Sequence, residues 1–253
     1  MPRVSRKKSN SGLYHIVMRG INRQIVFEDE EDSRKFIHTL QKYKNICEYQ
    51  LHAYCLMGNH VHLLLKEGKE SLETVMRRIC GSYVLWYNKK YSRVGYLFQD
   101  RFKSEPVEDN RYYLIVLRYI FQNPVKAGIV TRIENYSWSN FSHYLEGSHW
   151  TDTEFALDIF DTDRTSAIRK FKDYVTRENN DICLDLQENR RLNDGEAMKL
   201  IKDVCMLERV QDLQTLEKNR RNNYIKELKR KHGLSVRQIE RLTGVSRGIT
   251  QRI

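Results

Sequence analysis

The sequence predicts an α+β fold: a ferredoxin-like antiparallel sheet with packed helices, followed by an all-α C-terminal region. Three observations carry that expectation. Strand-length and helix-length apolar patterns alternate in the order β-α-β-β-α-β-α over the first half of the chain, the split βαβ arrangement with one further helix. A Gly58-Asn59 pair separates two adjacent strand-length runs, which reads as a hairpin. Beyond residue 146 the apolar patterns have a helical period.

Taken in order, Leu13 to Arg19 is a short β-rich run. Glu28, Asp29, Glu30 and Glu31 then open a segment whose apolar positions Phe36, Leu40, Tyr43 and Cys47 recur at three and four. This is an amphipathic helix with acid at the end where the macrodipole favours it. Leu51 to Met57 and His60 to Lys66 form the two arms of the hairpin. Leu72, Val75, Met76, Ile79, Tyr83, Trp86 and Tyr87 follow helical spacing, which predicts core packing for the aromatic series in preference to base stacking. Residues 96–107 read as extended until Pro106, and a third helix is expected from Asn110, as its N-cap, to Asn123, where Pro124 stops it.

Three regions follow from these patterns: a first domain at 11–145, an acidic helical extension and linker at 146–200, and a basic helical region at 201–253. The extension has helical patterns at Thr153 to Phe160 and Ser166 to Val175, then a polar joint near Glu178 to Asp185. In the last region Ser235 can cap a helix carrying Val236, Ile239 and Leu242, Gly244 supplies a turn, and Ser246 can cap a second helix with Arg247, Gln251 and Arg252. That is helix-turn-helix spacing. Glu240, where a small residue is usual, and Thr250, where an apolar one is common, depart from the pattern. A basic helical hairpin used for packing or dimerisation is the alternative.

Composition narrows the function classes. The 253 residues have a mean hydropathy of −0.68, and the chain contains no apolar run approaching the ~20 residues a membrane-spanning helix needs. The first ten residues lack the apolar centre of a secretory signal. Cysteines at 47, 55, 80, 183 and 205 are odd in number and without CxxC spacing, so a reduced, intracellular protein is expected. The net charge of +11 is concentrated at the ends. Residues 1–10 carry four basic side chains and no acid, and residues 218–253 carry eleven against Glu227 and Glu240. A polyanion suits such ends, since phosphate neutralisation releases counterions; a solvated tail is the other reading.

Two groups of residues have the makings of a reactive site. On a strand, the period of two turns His60 and His62 to one face and Val61 to the other. Two neutral imidazoles so placed can chelate a divalent cation, or be satisfied histidines of the core or surface. On the third helix, Tyr112, Val116, Tyr119 and Asn123 share one face and Leu114, Leu117 and Phe121 the other. With the leucine side as core, Tyr119 and Asn123 offer a nucleophile and a carbonyl ligand one turn apart, although tyrosines also simply pack. The apolar girth of this helix, with Ile115 and Ile120, implies cover on two sides, which would suit a dimer.

The blocks RGINRQIVF (19–27), MGNHVHLLL (57–65), LFQDRFKSEPV (97–107) and YIFQNPVKAGIV (119–130), in that order and spacing, resemble the HUH single-tyrosine transposases, in particular the REP-associated tyrosine transposases. The resemblance covers residues 11 to about 175. Gly58 replaces the proline usual before Asn-His, and glycine also suits a hairpin turn. The C-terminal helix-turn-helix is not found throughout the family.

The resemblance implies an HUH endonuclease sheet, Tyr119 as nucleophile, and His60, His62 and Asn123 as ligands of Mg²⁺ or Mn²⁺. The ion comes from the family, because imidazoles equally suit Zn²⁺. It also implies single-stranded DNA with hairpin elements as substrate, a homodimer, and strand transfer through a 5′-phosphotyrosine. A free phenol ionises near ~10 and is a poor nucleophile at neutral pH, so help is expected from the cation and from Arg118 or Lys126. Tyr112 and Tyr113 are rival nucleophiles, but Tyr112 has Val116 where the amide should stand.

Arg19, Asn22 and Arg23 after the first strand, Arg101 and Lys103 on the fourth, and Arg237, Arg247, Gln251 and Arg252 near the C-terminus are the candidate DNA contacts; for the first two sets a solvated rim is the alternative. A domesticated DNA-binding regulator without cleavage and a rolling-circle initiator or relaxase are the competing functions. The intact His60, His62, Tyr119 and Asn123 set speaks against the first, and the block around Asn123-Pro124 against the second.

Overall fold

A computed structural model describes residues 6–148, 150–184 and 194–253, in two compact units, Met1–Leu186 and Gln187–Ile253. Residues 1–5 of the basic N-terminal run and Asp185 at the end of the polar joint lie outside the described residues. The first unit contains β1 (Leu13–Arg19), α1 (Glu30–Cys47), β2 (Gln50–Met57), β3 (His60–Lys66), α2 (Leu72–Lys90), β4 (Lys103–Pro106) and α3 (Asn110–Lys126). Its sheet has the order β2-β3-β1-β4 with antiparallel neighbours, as the ferredoxin-like expectation requires.

Alternation along the strands divides the hydrophobic residues between two cores. Tyr14, Ile16 and Met18 join Val61, Leu63 and Leu65 against Phe36 and Leu40 of α1 and Val75 and Ile79 of α2. Leu13, Cys55, Met57 and Leu64 instead pack with Val116, Leu117 and Ile120 of α3. Tyr83 and Tyr87 are buried in the first of these cores, as their spacing predicts, and the Tyr83 hydroxyl donates to the Val26 carbonyl at 2.6 Å. The Gly58-Asn59 turn is docked rather than free: its two carbonyls accept the Val26 and Gly20 N–H groups, each at 2.8 Å.

Three boundaries differ from expectation. The N-cap of α3 is Asp109, whose carboxylate accepts the Tyr112 N–H at 2.8 Å, so Asn110 is already helical. The helix also runs through Pro124 to Lys126, although the ring forgoes the N–H that would reach the Ile120 carbonyl and crowds that carbonyl. The fourth strand shrinks to Lys103–Pro106, since Asp100 takes a left-handed backbone (φ 58°) that breaks the extended run. Pro106 is tolerated there because β4 is an edge strand.

The outer side of α3 is covered from within the same chain. α4 (Phe141–Glu146), α5 (Glu154–Phe160) and α6 (Arg164–Thr176) follow, with Phe121 edge-on to Phe141 at 5.5 Å and Tyr144 stacked on Phe171 at 4.4 Å. These helices account for the apolar girth of α3 without a second copy. The region expected as one extension at 146–200 is therefore shared: α5 and α6 complete the first core, and α7 (Asp194–Cys205) opens the second unit. Along β2, the segment before α4 supplies a further set of partners. The Leu56 N–H donates to the Trp138 carbonyl at 2.9 Å, and Asn140 accepts the Tyr54 N–H at 2.8 Å while donating to the His52 carbonyl at 2.9 Å.

In the second unit α7, α8 (Lys218–Arg230), α9 (Val236–Thr243) and α10 (Arg247–Arg252) enclose Ile201, Leu213, Ile225, Leu228 and Ile239. Ser235 caps α9 by accepting the Gln238 N–H at 3.2 Å, and α9 ends at left-handed Gly244 (φ 76°). Ser246 makes no side-chain cap on α10; Glu240 does so instead, accepting the Arg247 N–H at 3.2 Å. Thr250 is buried by returning its hydroxyl to the Ser246 carbonyl at 3.2 Å.

Candidate active site

The sheet face beneath α3 carries a polar strip. The period of two on β3 sets His60 and His62 on this face with Leu64, while Val61 and Leu63 serve the opposite core. Antiparallel pairing puts Val17 opposite His62 and His15 opposite Leu64, so His15 is the diagonal neighbour of His62 on β1. On the other side β4 places Glu105 directly opposite His15.

Hydrogen bonds join these residues in series. His15 Nε2 lies 3.2 Å from His62 Nδ1, and His15 Nδ1 lies 3.1 Å from Glu105 Oε1. The same oxygen accepts the Tyr112 hydroxyl at 2.7 Å and the Leu184 N–H at 2.8 Å. His60 Nδ1 meets the Asn59 side-chain oxygen Oδ1 at 2.7 Å. The His60 and His62 rings are 5.1 Å apart, nearly perpendicular at 80°.

Tyr119 closes the group from α3. Its ring centroid is 5.7 Å from that of His62 and 5.9 Å from that of His15, both edge-on, and the residue is 8% exposed. Asn123, one turn later and half-buried, donates its amide N–H to the Tyr119 carbonyl at 2.9 Å, which leaves its side-chain oxygen as the atom able to face a cation.

Electrostatics follow burial. His62 is held well below the ordinary imidazole value, first by burial and then by its neighbours His15, His60 and Arg19, so it is neutral and has a lone pair to give. The Glu105 carboxyl lies below its ordinary value: burial pushes it up, and the bonds from His15, Tyr112 and Leu184 outweigh that push. Burial and the bond to Glu105 raise the Tyr112 phenol.

Among the described residues no group of three or more His, Cys, Asp and Glu side chains is arranged to hold a metal. Two imidazoles and an amide are a partial shell. The fit of a cation rests on one atom: His62 Nε2 is buried and has no hydrogen-bond partner. A buried polar atom of this kind calls for a partner.

The rival tyrosines are committed elsewhere, Tyr112 to Glu105 and Tyr113, fully buried, to His52 Nδ1 at 3.0 Å. Arg118 is also occupied, paired with Asp181 at 2.7 Å and lying over the Tyr174 ring at 4.3 Å. Lys126 lies with its ammonium 5.5 Å from the Tyr119 ring centroid.

Arg19 stands opposite His60 in the β1–β3 register, with its Nε buried and unbonded, and exposed Asn22 and Arg23 follow in left-handed backbone. Arg101 precedes β4 rather than alternating within it; Lys103 is on the strand, and both are exposed. Arg237, Arg247, Gln251 and Arg252 are exposed on α9 and α10. Sequence reasoning missed His15 and Glu105. The alternation of β1 turns His15 to the histidine face, but its partners are 47 and 90 residues away.

A four-stranded antiparallel sheet with paired histidines on a central strand and a tyrosine helix across them defines a class, and residues 8–123 match the family of IS200-like transposases. Within that class, a candidate REP-associated tyrosine transposase of Haemophilus influenzae is 28% identical over 159 residues, 56% of this chain and 86% of that protein. A solved REP-associated tyrosine transposase bound to a REP hairpin shares the fold with a TM-score of 0.50 at 20% identity, covering 57% of this chain and 86% of that one.

Proposed function

We propose that this protein cuts and rejoins single-stranded DNA beside hairpin elements, with Tyr119 as nucleophile and His60, His62 and Asn123 holding Mg²⁺ or Mn²⁺. The observation that carries the reading is the Tyr119 ring 5.7 Å from a His62 whose Nε2 is buried and unpartnered. A bound cation would supply charge neutralisation at the scissile phosphate. The Tyr119 oxygen attacks phosphorus, the bond to the 3′ oxygen breaks, and a 5′-phosphotyrosine and a 3′-hydroxyl result. The phosphoester is kept in that link, so a different 3′-hydroxyl can reverse the step and join another strand. Lys126, its ammonium 5.5 Å from the ring centroid, supplies positive charge beside the attacking phenol.

A 920 Å³ cleft along β4, lined by Arg6, Tyr96, Phe98, Arg101, Phe102 and Lys103, has the basic and aromatic character that single strands use for backbone and base contact. Arg19, Asn22 and Arg23 extend that contact to phosphates. The α9–α10 pair acts as a helix-turn-helix that grips duplex or hairpin DNA through Arg237, Arg247, Gln251 and Arg252. The working assembly is a homodimer. Among the described residues no helix is long and apolar enough to cross a membrane.

The test is a labelled hairpin-bearing single strand incubated with Mn²⁺ and resolved under denaturing conditions. The wild-type chain forms a covalent adduct and Tyr119→Phe forms none. An adduct that persists in Tyr119→Phe, or a mobility shift without cleavage by the wild type, overturns the proposal.

A further inference from the structure

The geometry points to His15 and Glu105 as positioning residues of the cation site: together they hold His62 in the tautomer that presents its Nε2 lone pair. This inference rests on the proposed role of His60 and His62 as ligands. A neutral imidazole has one N–H, and the nitrogen carrying it cannot ligate. Glu105 as a carboxylate only accepts, so the 3.1 Å contact requires His15 Nδ1 to donate. With a single proton on its ring, His15 then has Nε2 as an acceptor, and the 3.2 Å contact requires His62 Nδ1 to donate. The proton on Nδ1 puts the lone pair on Nε2, the buried atom without a partner in the protein. Asn59 does the same for His60, accepting from its Nδ1 at 2.7 Å.

The series is anchored at its far end. Glu105 Oε1 is fixed by the Tyr112 hydroxyl and the Leu184 N–H as well as by His15, and His15 itself is fully buried, so neither group is free to turn. Tyr112, the rival nucleophile from sequence, thus has a different task, holding the carboxylate that orients the histidines. Outer partners of this type typically change metal affinity about 10–100-fold when removed.

The experiment uses the full chain and two readouts, Mn²⁺ titration followed by electron paramagnetic resonance and long-range ¹H–¹⁵N spectra of the histidine rings in metal-free protein. His62→Ala tests the underlying reading: retention of wild-type Mn²⁺ affinity removes the ligand role of His62 and this inference with it. With that affinity lost in His62→Ala, Glu105→Leu is expected to weaken Mn²⁺ about 10–100-fold. Glu105→Gln, which keeps an acceptor, restores most of it; a merely space-filling role would favour Leu equally. In the spectra, wild-type His62 carries its proton on Nδ1, and His15→Phe loses that preference. Wild-type affinity in Glu105→Leu alongside loss in His62→Ala overturns the inference and leaves the ligand role standing. A proton on Nε2 of wild-type His62 overturns it even if every variant fails to fold.

Discussion

Asn140 fastens the outer side of β2 through its side chain, and Asn140→Ala measures how much depends on it. The residue is fully buried, and its amide makes two bonds to β2, accepting from Tyr54 N–H at 2.8 Å and donating to the His52 carbonyl at 2.9 Å. The two losses are unequal. The His52 carbonyl keeps the Tyr144 hydroxyl at 2.9 Å, whereas the Tyr54 N–H points away from β3 and is left without its acceptor. An orphaned buried N–H costs about 1–3 kcal/mol and a lost but backed-up bond about 0.5–1.5, so the expected destabilisation is about 2–4 kcal/mol. All three tryptophans, Trp86, Trp138 and Trp150, belong to the first unit, so indole fluorescence during urea unfolding of the full chain isolates it from the second.

Asn140→Asp sharpens the test, since one carboxylate oxygen still accepts from Tyr54 but the other faces the His52 carbonyl. Burial raises the carboxyl pKa in the folded state, so the folded chain holds the proton more tightly than the unfolded one. The variant's deficit is therefore smallest below the unfolded value of ~3.9 and grows as pH rises through the folded one. An Asn140→Ala chain within about 0.5 kcal/mol of wild type, a change ordinary for surface substitutions, would refute the reasoning. So would a deficit in Asn140→Asp that does not vary with pH.

Gly68→Ala should destabilise the same unit by at least the roughly 1–3 kcal/mol of an overpacked site, because the new Cβ would sit 2.0 Å from the Glu48 carbonyl oxygen; unchanged urea midpoints would contradict this. Burial pulls the His52 imidazole down to about 4, so unfolding takes up a proton near ~6.5. The stability this provides is present above that pH and is lost as pH falls toward 4, by up to about 3 kcal/mol, and His52→Gln should flatten the profile across that window. Arg247→Ala is expected to weaken binding of a DNA hairpin and lower the salt slope of its affinity by about one, measured by fluorescence anisotropy; an unchanged slope would remove Arg247 from phosphate contact.

Features encoded by local periodicity were legible in the sequence. The hairpin around Gly58-Asn59 and the common face of His60 and His62 follow from a repeat of two within seven residues, and the structure repeats both. Tyr119 could be placed on a helix face, though its approach to His62 depends on how α3 crosses the sheet. Contacts made across the sheet left no local trace: His15 and Glu105 are single polar residues in unremarkable strands until register places them side by side. Capping was only half legible. Asp109 and Asn110 are both good caps, and only the turn geometry chooses Asp109. Glu240 looked like a flaw in the helix pair because its value lies seven residues ahead, at the N–H of Arg247.

The dressing of the outermost strands also governs how molecules of this protein can meet. Along the free flank of β2, the N–H groups of Leu51, Tyr54 and Leu56 are taken by Asp152, Asn140 and Trp138. At the opposite margin β4 offers four residues, one of them Pro106, with Lys103 at its start. Neither border is a template on which a foreign backbone could continue the ladder. Copies of this chain that meet are therefore left side chains and helix surfaces for contact, and each sheet stays at four strands.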